Sequence, residues 1–169
     1  LINYRILNEK TVEKIDKKIV KTEYGKFNLI MYKDLIFDET HLVLQKGKIT
    51  KNSPTLVRVQ QSNFYHDLLN INEFGARWSV SDAMKKINEA GKGIILLIDG
   101  ENNKENEFNE INASKKNRKT IPNNDPRRIG IGSQILRDLG VKKIKLMGSE
   151  VRYPSLSGFD LEVTEYVNK

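Results

Sequence analysis

The residues best suited to chemistry in this sequence lie toward its C-terminal third. From Lys115 to Arg128 six basic residues surround one acid, Asp125. Such a cluster suits phosphates, nucleotides or nucleic acid, and equally a plain solvated loop. Just before it, Glu101 to Glu110 holds four acids and one lysine. Over the whole chain 29 Lys and Arg against 22 Asp and Glu leave a formal net charge of +7. The aromatic interleaving of a single-strand binder is missing, as are helix-turn-helix and zinc-finger spacings, so nucleic acid is the weak reading. Cysteine is absent, which excludes disulfides and every thiolate metal site.

These residues need a scaffold, and 169 residues, 38% of them hydrophobic, suffice for one domain. Thr11 to Tyr32 reads as a hairpin turning at Glu23-Tyr24-Gly25-Lys26. Phe27, Leu29 and Met31 alternate at period two, whereas Val12, Ile15, Ile19 and Val20 are less regular. His41 to Gln45 and Thr55 to Val59 read as further strands separated by a loop, so the first part of the chain is mostly β. Ser79 or Ser81 caps a helix running to about Glu89, with Val80, Ala83, Met84 and Ile87 on one face. Gly91 and Gly93 stop it, and Ile94 to Ile98 follows as a strand buried on both faces. A helix over Gly130 to Leu139 and strands at Lys143 to Met147 and Leu161 to Val167 complete the chain. The pattern predicts an α/β fold, an N-terminal mostly antiparallel β region leading into a mixed sheet with packed helices.

One stretch departs from this pattern. Gly100 to Asn124 contains eight Asn and few apolar residues, without periodicity, and is expected to be a mobile loop. The longest apolar run, Gly93 to Ile98, is far short of the roughly 20 residues of a membrane helix. No signal-peptide pattern opens the chain, which starts at Leu1 rather than Met. The expectation is a cytoplasmic protein cut from a longer parent.

The segment Asp125-Pro-Arg-Arg-Ile-Gly-Ile-Gly-Ser-Gln-Ile-Leu-Arg-Asp-Leu-Gly-Val141, with the strand Lys143 to Met147, resembles the end of the GTP cyclohydrolase II family. That family places a D-x-R segment before a Gly-Ile-Gly-x-Gln-Ile-Leu-x-Asp-Leu-Gly-Val helix and a basic, apolar strand. Ser157-Gly-Phe-Asp-Leu-Glu-Val163 resembles its last strand, Leu56-Val-Arg-Val59 the strand entering its active site, and Ala90-Gly-Lys-Gly-Ile94 its central strand. Thr22-Glu-Tyr-Gly-Lys-Phe27 is similar to its early hairpin. Leu1-Ile-Asn-Tyr-Arg5 resembles the junction in bifunctional riboflavin-pathway proteins, where dihydroxybutanone-phosphate synthase precedes a cyclohydrolase-like domain. The resemblance implies a GTP cyclohydrolase II-like domain over 11–169, with 1–10 the end of a linker from the synthase and 100–124 a mobile loop.

The family opens the guanine imidazole ring with zinc-activated water. Its three Cys ligands, spaced Cys, ten residues, Cys, one residue, Cys, correspond here to Asn63, Phe74 and Ala76. Phe and Ala cannot ligate, Asn offers only a weak amide oxygen, and the neighbouring His66 and Asp67 lack a third partner. Zinc, and with it any cofactor, is therefore expected to be absent. The Arg-Val-His-Ser-Glu run keeps only its Arg and Val, as Arg58-Val59-Gln60-Gln61-Ser62, and the Arg-Gln-Glu-Gly-Arg loop is replaced by Asp99-Gly-Glu-Asn102 and the Asn-rich stretch. Where the family contacts nucleotide with Thr and Lys stand Gly148 and Tyr153, with Arg152 one place away. Asp125 and Arg127 match the D-x-R, which implies proton transfer by the Asp and a hold on the substrate's phosphate end by the Arg. The alternative is that the pair caps the following helix.

The expected function is a degenerate cyclohydrolase domain of a synthase fusion, non-catalytic and kept for structure, dimerisation or regulation. The alternatives are an active GTP cyclohydrolase II, releasing formate and pyrophosphate, and a phosphate- or nucleotide-sensing module using Arg58, Arg127, Arg128 and Arg152. The family implies a homodimer. Ile129, Ile131, Ile135, Leu136 and Leu139 offer apolar surface for one, unless all five face the sheet of a single chain.

Overall fold

The computed structural model describes residues 1–75, 77–99, 104–112, 126–148 and 156–169. Ala76, Asp125, Arg152 and Tyr153 lie outside the described residues.

The hairpin forms where its alternation predicts. Strands β1 (Val12–Thr22) and β2 (Gly25–Asp34) pair antiparallel, with Val20 opposite Phe27 and Thr22 opposite Gly25. The Thr22 hydroxyl accepts from the Tyr24 N–H at 3.1 Å and donates to the Gly25 carbonyl at 2.7 Å, closing the turn. A bulge between Lys14 and Asp16 explains the irregular run in β1: the extra residue shifts the period-two pattern by one. β1 is also the sheet edge, largely exposed, and Lys14, Lys17, Lys18 and Lys21 discourage further pairing there.

Strands β3 (Thr40–Lys46), β4 (Thr55–Gln60), β5 (Gly93–Leu97), β6 (Lys143–Met147) and β7 (Glu162–Val167) complete one mixed sheet in the order β1-β2-β3-β5-β4-β6-β7. β1, β2, β3 and β5 are antiparallel neighbours, while β5, β4, β6 and β7 run parallel. The architecture is the α/β class expected, antiparallel at its start and mixed overall.

Helices cover both faces. Helix α1 (Ile2–Asn8) opens the chain, α2 (Val80–Ala90) lies between β4 and β5, and α3 (Lys104–Asn112) and α4 (Pro126–Asp138) lie between β5 and β6. On the α4 face Tyr32, Val43, Val57, Ile94, Leu96, Ile135 and Ile144 form one core. On the α2 face Phe27, Leu44, Leu56, Ile95, Trp78, Met84 and Ile87 form a second. The continuous apolar run of β5 feeds both, as a central strand covered by helices on both faces must. Ser79 is the α2 cap, accepting from the Asp82 N–H at 3.1 Å, and Gly91 closes the helix at φ 76°. A Cβ at Gly93 would lie 2.8 Å from Ile87 Cγ1 and 2.9 Å from the Leu56 carbonyl, so this glycine admits the close contact of α2 with the sheet.

Within residues 1–10, expected to be the end of a linker, α1 docks on α4 with Ile6 buried. Gln134 accepts from the Thr11 N–H at 2.8 Å and donates to the carbonyls of Ile6 at 2.5 Å and Glu9 at 3.1 Å. Within 100–124, where no regular structure was expected, residues 104–112 form α3. Its contacts with the turn at 64–68 and with Asn72–Phe74 supply a partner that the local pattern does not announce. The remainder of that stretch lies outside the described residues. Helix α4 starts at Pro126 rather than Gly130, consistent with the favour proline finds in a helix's first turn. Its residues Ile131, Ile135 and Leu136 are buried within the single chain, and Leu139 packs partly buried against the same core. The apolar surface cited for a dimer is therefore mostly spent on the chain's own sheet.

Candidate functional site

In open α/β sheets ligands bind beyond the carboxyl ends of parallel strands, and the sequence-marked residues gather at the ends of β4, β5 and β6. On the α2 face, Arg58 of β4 is tied down by its neighbours. Its Nε donates to Gln60 Oε1 at 2.7 Å, Nη1 to the Met147 carbonyl at 3.0 Å, and Nη2 to the Trp78 carbonyl at 3.1 Å. A Cβ placed on Gly148 would lie 3.5 Å from Arg58 Nη1, so two positions that the resemblance assigns to substrate contact are adjacent. The fork that suits a phosphate here spans backbone from two other segments.

Gln60 passes the network on to Asp67, donating from Nε2 at 3.3 Å and 3.1 Å to the two carboxylate oxygens. Asp67 also accepts the Asn63 N–H at 2.7 Å and the Val80 N–H at 2.9 Å. It thereby joins the turn over Phe64–Leu68 to the start of α2. Asn63 caps that turn, its Oδ1 accepting the His66 N–H at 2.9 Å. The buried His66 ring lies 5.2 Å from the Phe74 ring, centroid to centroid, with Nδ1 at 3.4 Å from the Ile71 carbonyl. Two of the three positions that the resemblance assigns to zinc ligands, Asn63 and Phe74, thus meet around His66. Their donor set does not fit zinc: one is a capping amide already accepting a hydrogen bond, the other a hydrocarbon ring, and alanine at position 76 carries no ligand atom.

On the α4 face, Arg128 Nη1 donates to Gln61 Oε1 at 2.6 Å, joining the start of α4 to the end of β4. The Arg127 guanidinium lies 4.9 Å over the Phe37 ring. Beside them stands a group the sequence analysis missed, in which the Asp99 N–H donates to His41 Nδ1 at 2.9 Å and Asp34 and Glu39 lie close by. Burial raises the Glu39 carboxyl above its ordinary value, with the Asp34 and Asp99 charges adding and Arg128 and Arg127 opposing. Burial also lowers the His41 imidazole, with Arg128 assisting, against the opposite pull of Asp34 and Asp99. Asp34, Glu39 and His41 fall within eight residues, a spacing that could have marked the group, whereas the pairing of β3 with β5 brings Asp99 to it.

The fold and this geometry define the class: an α/β domain whose candidate site lies at the carboxyl ends of parallel strands, with the marked residues largely engaged in internal bonds. Over residues 13–168 the sequence matches the family model described as GTP cyclohydrolase II, and the chain belongs to that family. It is 41% identical over 173 residues to a 3,4-dihydroxy-2-butanone 4-phosphate synthase of Pseudomonas aeruginosa, covering 99% of this chain and 46% of that protein. To riboflavin biosynthesis protein RibBA of Cytophaga hutchinsonii it is 33% identical over 178 residues, covering 99% and 44%. Among solved structures, RibBX of A. baumannii, a two-domain 3,4-dihydroxy-2-butanone 4-phosphate synthase, matches with TM-score 0.66 and 33% identity, over 98% of this chain and 43% of that one. The chain therefore spans less than half the length of these relatives. No helix among the described residues is long and apolar enough to cross a membrane.

Proposed function

We propose that this chain is a degenerate GTP cyclohydrolase II-like domain of a riboflavin-biosynthesis protein that also carries a 3,4-dihydroxy-2-butanone 4-phosphate synthase half. In this reading it does not open the guanine ring and serves a structural, dimerisation or regulatory role. The observation that carries the reading is the use made of the zinc positions: Asn63 caps the turn over Phe64–Leu68, and Phe74 packs on the buried His66. Residues that would hold an activated water have become parts of the fold. Arg58, bonded to the Trp78 and Met147 carbonyls, is a poor candidate for a substrate phosphate, which weighs against a nucleotide-sensing module as well. Asp125 and Arg127, though retained, have no metal-bound water to serve.

The test is formate release from GTP by the purified protein with zinc or magnesium added. The expected rate is that of the uncatalysed background. Turnover above background that disappears in Asp125→Ala would overturn the proposal.

A further inference from the structure

One cluster at this end of the sheet takes no part in the reading above. Asp34 closes β2, Glu39 precedes β3 and His41 lies within it, and one ligand-type atom from each lies within 4.8 Å of the others. Asp34 and His41 are fully buried, at 0% exposure, and Glu39 is partly so. Asp34 Oδ1 accepts the Ile36 N–H at 2.8 Å, whereas Asp34 Oδ2 and His41 Nε2 have no hydrogen-bond partner among the described residues. Buried polar atoms left without a hydrogen bond are costly, so something is expected to answer them.

Two carboxylates and an imidazole look like a donor set for a divalent metal. The tautomer argues against one. Because the Asp99 N–H donates to His41 Nδ1, that nitrogen supplies the ring's lone pair, and in the neutral imidazole the hydrogen sits on Nε2. Burial lowers the ring's pKa, which favours the neutral form. Metal-bound histidines are arranged the other way, donating from the nitrogen that does not touch the metal. The unpartnered pair is therefore a donor, Nε2–H, in company with carboxylate acceptors.

We infer that Asp34, Glu39 and His41 enclose one ordered water molecule rather than a metal ion, and that this water fastens the corner between β2 and β3 to the end of β5. The water accepts from His41 Nε2–H and donates to Asp34 Oδ2 and the Glu39 carboxyl group, the roughly three bonds usual for an internal water. One atom from each residue lies within 4.8 Å of the others, a reach that hydrogen bonds of about 2.8 Å to one shared water can span. His41 is then a positioning residue, holding the Asp99 backbone on one nitrogen and the water on the other. The inference stands whether or not the domain acts on GTP.

The test uses the nitrogen-15-labelled chain, with the His41 resonances identified through His41→Gln. At pH 7 the ring should show the Nε2–H tautomer, and its Hε2 proton should be visible with a cross-peak to water. Titration calorimetry with zinc or manganese chloride should show no stoichiometric binding attributable to this cluster. An Nδ1–H tautomer, an Hε2 proton with no water cross-peak, or a one-to-one metal complex that is lost in Asp34→Asn would each overturn the inference. Tautomer and water are read on the unmodified chain, so the result survives a variant that fails to fold.

Discussion

Arg58→Met separates a structural arginine from a ligand-binding one. Methionine keeps much of the aliphatic stem and removes the fork that bonds Gln60, Met147 and Trp78. Hydrogen bonds from a charged donor contribute about 1.5–3 kcal/mol each, and losses within one network are not additive. Arg58 is only partly buried, so water recovers part of the loss and a total near 3 kcal/mol is expected. For a domain of this size that lowers Tm by roughly 6–12 °C. Arg58→Lys should lose most of the same stability, because a single ammonium cannot span carbonyls on two segments. Thermal and urea unfolding of the three proteins, alongside calorimetry with phosphate and GTP, provides the measurement. If Arg58→Met melts within about 2 °C of the parent while anion affinity collapses and Arg58→Lys retains it, the structural account of Arg58 is wrong.

Gln134→Leu should cost about 2–4 kcal/mol in urea unfolding, because it strands the Thr11 N–H and the carbonyls of Ile6 and Glu9; an unchanged midpoint would mean that α1 is not docked in solution. His41 is buried with a pKa below its usual 6.5, facing Asp34, Glu39, Asp99 and Arg128. The fold favours its neutral form, so its contribution is complete above pH 6.5 and is lost as pH falls through the lower folded value. The stability slope between pH 7 and about pH 5 should flatten in His41→Gln, and an identical slope would remove His41 as its source. A homodimer is the expected assembly, through surface other than the buried face of α4, and light scattering showing a 19.5 kDa particle would leave the dimerisation role without a mechanism.

The local pattern of this sequence was enough for the hairpin, for β5 and β6, and for the membership that its C-terminal motif signals. In each case the determining contacts are near in sequence: alternation marks a half-buried strand, and a short continuous apolar run marks a central one. The absence of thiolates was likewise legible, since ligand chemistry depends on residue type before geometry. What became of the positions left behind was decided in three dimensions. Nothing next to Arg58 announces that the Trp78 and Met147 carbonyls will take its guanidinium, because those partners arrive from other segments of the sheet. Helix α1 needs Gln134, 128 residues from Ile6, to hold its end. The His41 group is completed only when β3 pairs with β5, bringing the Asp99 N–H to a ring 58 residues away. Hydrogen bonds and burial are satisfied by whatever the fold places within about 3 Å, and proximity of that kind is a property of the assembled sheet rather than of any stretch of chain.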